Sequence, residues 1–179
     1  MILIDTTLQI MCPPPQILPW LVYENSLTQK LSDIAGDARL NVLDQQWELP
    51  DEWDLSVLKL KLDTTSVMHR EILMWAFDSP CWYARTILPD TTFQANTTLF
   101  NRLKTEPLGH LIFNGTEIQR ASLTHYMISS SSLEYSWLNE SMHQGSMELW
   151  VRLSEFTVKG RDSFFLLEIL LPGLLRFLS

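Results

Sequence analysis

The sequence predicts an α+β fold in which helices pack on a single antiparallel β-sheet. Stretches of alternating apolar residues come in hairpin-like pairs, helical stretches fall between those groups, and the regular strand–helix alternation of a parallel sheet is absent. A chain of 179 residues, 46% hydrophobic and without a long biased tract, suits one compact domain over 1–179.

The first residues, "MILIDTTLQIMCPPPQ", carry no basic stretch and meet Asp5 before an apolar core develops, so they do not resemble a secretory signal. After the prolines, "QILPWLVYENSLTQKLSDIAG" predicts a helix with an apolar stripe of Leu27, Leu31 and Ile34. Ser26 and Gln29 have the spacing of a capping box, and Gly36 supplies the stop. Two strands are expected next, "LNVLDQQWEL" and "SVLKLKLD", the second alternating lysine with leucine. A hairpin follows in "SVMHREILMWAFDSPCWYARTILP", turning at Asp78, Ser79 and Pro80. "NTTLFNRLKTEPLGHLIFNG" predicts two short helices, with Pro107 at the first position of the second and Asn114 and Gly115 closing it. "TEIQRASLTHYMI" is strand-like, and 129–146 is rich in serine and other polar residues, an irregular excursion. "MELWVRLSEFTV" and "SFFLLEILLP" complete the pattern as a second hairpin turning at 159–162.

Thirteen basic residues against 21 acidic ones give a formal charge of −8, the wrong sign for holding phosphate backbones or anionic lipid. Nucleic acid is therefore not an expected partner. A small anion remains admissible, provided local arginines overcome the overall repulsion. Cys12 and Cys81 are too few for a disulfide scaffold and are not grouped with histidines as zinc ligands, which fits a reducing, cytoplasmic setting. The apolar run at the end of the chain contains Glu168, Pro172, Gly173 and Arg176 and falls short of the about 20 apolar residues of a membrane helix, so no stable membrane insertion is expected. We expect a monomer.

Three charges stand where sheet strands ought to be apolar. In "VMHREILMW" the alternation puts Arg70 with Met68, Ile72 and Met74; Arg85 lies beside Tyr83 and Ile87; Glu168 is set in "FFLLEILL". An ionised group in such a place is costly unless it is paired or hydrogen-bonded. Two explanations stand side by side. The charges pair with one another as a structural network, Arg70 with Glu168 for example, or they line a pocket in which guanidinium groups meet a ligand carboxylate. Pro107, Leu108 and Gly109 at a helix start would add unpaired backbone N–H groups to such a pocket. The four histidines lack metal-ligand spacing, and phosphate-loop, nucleophile-elbow and dinucleotide motifs are absent.

At these residues the chain resembles the chorismate pyruvate-lyases. The matching stretches are "PWLVYENSLTQKL", "HREILMWAFDSPCWYARTILP", "KTEPLGHLIF" and "LLEILLP", in that order between Pro19 and Pro172. The resemblance implies a lyase that converts chorismate to 4-hydroxybenzoate and pyruvate for ubiquinone synthesis, without metal or redox cofactor, on an antiparallel sheet with flap segments enclosing the site. It implies that Arg70 binds the ring carboxylate and that Glu168 meets the ring hydroxyl. Leu108 would give a backbone contact, Leu27 in "ENSLT" would line the pocket from a flap, and Arg85 would help hold the enolpyruvyl side. The chain departs from the pattern in two places: the segment between residues 120 and 150 is long, with consequences for access to the site, and Leu153 stands where a second arginine is common.

Fold alone does not separate this enzyme from the effector-sensing domains of GntR-type repressors, which are similar in fold. Only about twenty residues precede "LVYENSLT", too few for a helix-turn-helix. That favours the enzyme over a sensor of aromatic acids. A third reading, an interaction protein whose arginines and Glu168 are internal pairs, predicts that removing Arg70 unfolds the chain.

Overall fold

Strand-forming, β-branched and aromatic stretches pair through two tight turns to give the centre of the molecule. The computed structural model describes residues 12–60, 64–104 and 107–178. Among them, β1 (Arg39–Glu48), β2 (Val67–Ala76), β3 (Ser79–Pro89), β4 (Ile118–Ser129), β5 (Glu148–Val158) and β6 (Asp162–Leu170) form one open antiparallel sheet in the order β1-β2-β3-β6-β5-β4. The β2–β3 turn places Phe77 at φ 52°, and Asp37 Oδ2 braces it by accepting from the Phe77 N–H at 2.6 Å. The β5–β6 turn uses Lys159 at φ 51° and Gly160 at φ 68°, the left-handed conformation that glycine adopts without a Cβ penalty. That turn sets Val158 opposite Asp162, and counting back along the ladder puts Arg152 opposite Glu168.

Both faces of the sheet are covered over its central strands, while the edge strand β1 is largely exposed. On the first face lie α1 (Leu18–Leu21), α2 (Leu27–Ala35), α5 (Thr97–Phe100) and α6 (Leu108–Phe113). Trp20, Leu21, Leu27 and Leu31 meet Ile72, Met74, Trp82 and Ala84 there, and Leu108 and Leu111 meet Met68, Leu88 and Phe164. On the second face α3 (Glu52–Val57) brings Trp53, and the excursion after β4 brings Leu138 and Met142, onto Tyr83, Val151 and Leu167. The excursion contains a 3-10 turn, Glu134–Trp137, and the short helix α7 (Glu140–His143). The expected access role for 129–146 is thus corrected: its buried side chains lie on the second face, away from the cavity described below.

Several sequence expectations shift. The predicted N-terminal helix is two pieces, and Ile34 is half exposed rather than part of the buried stripe. Ser26 does cap α2, accepting from the Gln29 N–H at 3.2 Å, but the Gln29 side chain turns to Asp33 and leaves the box half made. Pro107 is the residue before the first turn of α6, one place earlier than expected. The strand predicted over 56–63 does not form where it is described: Ser56 and Val57 end α3, and 61–63 lie outside the described residues. The cause is a capping box one turn upstream, in which the Asp51 carboxylate accepts from the Asp54 N–H at 2.8 Å and Asp54 returns the bond to the Asp51 N–H at 2.9 Å. The reading of the first eleven residues also falls outside the described part.

Among the described residues no helix is long and apolar enough to cross a membrane. After β6 the chain folds back on β3: the Leu171 N–H donates to the Cys81 carbonyl at 2.9 Å, and Gly173 lies against the Pro80 backbone. A Cβ on residue 173 would overlap the Pro80 carbonyl oxygen. Gly173→Ala is therefore expected to cost about 1–3 kcal/mol through overpacking, read as a lower urea midpoint at unchanged slope.

Candidate active site

Alternation along the strands gathers the site on the first face. Two cross-strand rows form its floor, Arg70–Thr86–Leu166 and Ile72–Ala84–Glu168–Arg152. Ala84 matters by being small, since it leaves room beside Glu168. Above these rows an inner cavity of about 70 Å³ is walled by Leu27, Leu108, Gly109 and Ile112 from the helices, and it also meets Arg120 of β4. An outer cleft of about 1050 Å³ shares Ser26, Thr28, Arg70, Gly109 and Phe113 with it and adds Gln29, Gln45, His110 and Asn114. Arg70 thus stands where the inner cavity meets the cleft.

The charged groups differ in how far they are committed. Arg152 is almost fully buried and uses its whole guanidinium. Nη1 donates to the Trp20 carbonyl at 2.8 Å, Nη2 donates to the Tyr23 carbonyl at 2.9 Å, and Nε lies 2.9 Å from Glu168 Oε2 without the alignment of a hydrogen bond. Arg70 is 8% exposed, has no ion pair or hydrogen bond among the described residues, and has a buried, unpartnered Nε. Burial pulls its guanidinium below the ordinary arginine value. It stands two strands from Glu168, roughly 10 Å across the sheet. The pairing of Arg70 with Glu168 considered from sequence is therefore not made; Glu168 pairs with Arg152 instead.

Of the residues expected at a site, Arg70, Glu168, Leu27 and Leu108 come together around one cavity. Arg85 does not. Its neighbours in β3, Ala84 and Thr86, face the cavity, so period-two alternation sends Arg85 to the second face. There Nε donates to Glu71 Oε1 and Nη1 to Asp51 Oδ2, both at 3.1 Å, and the guanidinium lies 4.3 Å from the Trp137 ring centre. The enolpyruvyl role expected of Arg85 is corrected on this ground: the side chain is spent on a structural network behind the sheet.

Two cavity residues were missed. Arg152 carries no mark in the pattern of β5, where its neighbour Leu153 faces the other way; the hairpin register is what places it opposite Glu168. Arg120 hides behind a bulge between Arg120 and Ser122 that shifts the alternation of β4 by one residue.

Asp51, Asp54 and His69 bring three potential metal-ligand atoms within 4.8 Å of one another. Asp51 is already engaged by the Asp54 N–H and by Arg85, and Asp54 Oδ2 lies 3.0 Å from His69 Nε2. These bonds tie α3 to β2 and β3 on the second face, a structural use of the group.

Comparison with known proteins adds a family and a shared fold. The family model described as chorismate lyase matches residues 3–174. A probable chorismate pyruvate-lyase of Pseudoalteromonas translucida is 30% identical over 159 residues, covering 86% of this chain and 83% of the relative. The chorismate pyruvate-lyase of Pectobacterium atrosepticum is 26% identical over 165 residues, covering 89% and 81%. Among solved structures, a GntR-family transcriptional regulator from Bacillus cereus superposes with TM-score 0.54 at 13% identity, covering 75% of this chain and 92% of the other. PhnF from Mycobacterium smegmatis gives TM-score 0.53 at 10% identity, covering 88% and 67%. These last two show a shared fold.

The difference in commitment between the two arginines is measurable. Arg152→Met leaves Glu168 and two carbonyls without their partner and is expected to lower unfolding free energy by about 3–5 kcal/mol. Arg70→Met removes a buried cation that has no partner among the described residues, so its chemical-denaturation midpoint should match or exceed that of the unmodified protein. A large loss in Arg70→Met would instead mark Arg70 as part of a structural network.

Proposed function

The chain belongs to the chorismate lyase family and is a lyase, and from that premise we propose that it converts chorismate to 4-hydroxybenzoate and pyruvate, the entry step to ubiquinone. The observation that carries this reading is Arg70: a buried guanidinium, without an ion pair or hydrogen bond among the described residues, at the mouth of an apolar cavity whose far side holds a carboxylate. A ring with a carboxylate at one end and a hydroxyl at the other matches that polarity. Arg70 takes the ring carboxylate through charge-assisted hydrogen bonds. Glu168, oriented by Arg152, accepts from the hydroxyl at the opposite position, and Leu108 lends a backbone contact from the first turn of α6.

Chorismate stores its own driving force, because loss of the enolpyruvyl group makes the ring aromatic. The ether C–O bond breaks, the C4 proton leaves, and its electron pair enters the ring; the enolpyruvyl fragment gains a proton on its methylene and departs as pyruvate. The protein's part is to hold a flexible dianion so that the ether and the C4 hydrogen are correctly placed, and to keep water out. Ile72, Met74, Trp82, Ala84 and Leu166 supply the dry floor. Leu27 and the α1–α2 segment act as a flap, and release of a product that retains the recognised carboxylate and hydroxyl limits turnover. The whole of 1–179 serves as one domain in this reading, acting as a monomer in the cytoplasm.

Mixing the purified protein with chorismate and following both products by chromatography tests it. Equal formation of 4-hydroxybenzoate and pyruvate is expected, with kcat/KM reduced about 100-fold or more in folded Arg70→Ala. Saturable binding of 4-hydroxybenzoate without turnover would replace the lyase with a sensor of aromatic acids. Glu168→Gln separates two routes for the C4 proton: an unchanged rate and pH profile means transfer within the substrate, whereas a reduced rate with the low-pH limb lost means transfer through the carboxylate.

A further inference from the structure

With Arg85 behind the sheet, the second carboxylate of a chorismate-like dianion lacks its expected cation. Three arginines line the inner cavity. Arg70 lies at the outer end, and Arg152 has every nitrogen engaged. Arg120 differs from both. Only its Nη1 has a hydrogen bond among the described residues, to the Glu24 carbonyl; Nε is buried without one. Its guanidinium lies 5.8 Å from the Phe113 ring centre and 5.0 Å from that of Phe156, cation–π contacts that do not use its donors.

Its place in the sheet points the same way. The order β2-β3-β6-β5-β4 puts Arg70 at one side, Glu168 between, and Arg120 beyond Glu168. In chorismate the enolpyruvyl ether sits on the ring carbon next to the hydroxyl-bearing one. A ring held with its carboxylate at Arg70, its hydroxyl at Glu168 and its ether-bearing edge turned toward β4 carries the enolpyruvyl carboxylate toward Arg120. Burial, with Arg152 nearby, lowers the Arg120 pKa, the cost of holding a guanidinium there before an anion arrives.

We propose that Arg120 is the specificity-determining residue that binds the enolpyruvyl carboxylate and so distinguishes the dianionic substrate from the monoanionic product. This rests on the lyase reading above. Arg70 would be shared by substrate and product, while Arg120 is released when pyruvate forms. The same cation then favours loading of substrate and adds nothing to retention of 4-hydroxybenzoate.

Three measurements on Arg120→Ala and Arg120→Lys decide it: KM and kcat for chorismate, the inhibition constant of 4-hydroxybenzoate, and direct binding of an unreactive dicarboxylate, 4-hydroxybenzoate bearing a carboxymethyl ether beside its hydroxyl. In Arg120→Ala we expect KM and the dicarboxylate Kd to rise at least about tenfold while 4-hydroxybenzoate inhibition stays within about twofold, with partial recovery in Arg120→Lys. Equal weakening of the mono- and dicarboxylate, or no change in either, overturns the assignment. If Arg120→Ala does not fold, Arg120→Lys carries the comparison, because one point charge in place of the planar fork should still weaken the dicarboxylate selectively. Absence of turnover in the unmodified protein would sink the lyase reading by itself, and the dicarboxylate comparison would still judge Arg120.

Discussion

One side chain holds the site together. Arg152 lies on the floor of the cavity with its three nitrogens pointed at three different things: the acid of the neighbouring strand and the carbonyls of Trp20 and Tyr23 in the segment above. A buried ion pair gains little net stability, since desolvation of both charges offsets their attraction. Arg152 escapes that limit by also satisfying two carbonyls that the end of α1 leaves open. The consequence is positional. Glu168 has its carboxylate held against the strand, and the cover between α1 and α2 is tied to the same guanidinium. Leu27, carried at the start of α2, is thereby set over the cavity.

The two faces of the sheet divide the charges by purpose. Behind it, Arg85 is matched by Glu71 and Asp51 and stacked under Trp137, while His69 lies between Asp54 and Glu48. Cations there are compensated by acids of the chain, and the group fastens α3 and the long excursion. On the cavity face the balance is reversed, with three arginines against one glutamate in a chain of net charge −8. On the proposed reading, that local excess of positive charge lets an acidic protein attract an anionic substrate. Arg70 illustrates the cost of this arrangement, since it is buried without a partner among the described residues.

Much of this was legible in the residues. The hairpins, the sheet class and the side of β2 occupied by Arg70 follow from period-two alternation, and Glu168 announced itself as a charge among apolar neighbours. What escaped depends on register rather than pattern. Arg152 could have been placed by counting back from the turn at 159–161, because Val158 pairs with Asp162 and each step away from the turn preserves the match. Arg120 could not, since the bulge at Ala121 resets the alternation of β4 and leaves no mark in composition. Arg85 differs for the opposite reason: alternation sets it on the side of Tyr83 and Ile87, but which face of the sheet holds the cavity is a tertiary fact. The strand expected at 56–63 lost to a local signal, the Asp51–Asp54 box, that the lysine–leucine alternation had overshadowed.

The likeness to GntR-family regulators sharpens what distinguishes an enzyme on this fold. At 13% identity or less the Bacillus cereus regulator and PhnF share the fold, so the architecture by itself decides nothing about chemistry. A binding domain and a lyase both need a closed, polar-ended cavity. They differ in what the polar ends are free to do as bonds change. A sensor gains when every charge is satisfied by its ligand in the ground state. A lyase gains only from contacts that hold or improve in the transition state. On the proposed reading, Arg70 keeps its carboxylate from substrate to product, Glu168 keeps the hydroxyl, and Arg120 alone changes partner as the ether breaks. The asymmetry among three arginines on one face of a sheet is thus the feature of this molecule that speaks for turnover rather than storage.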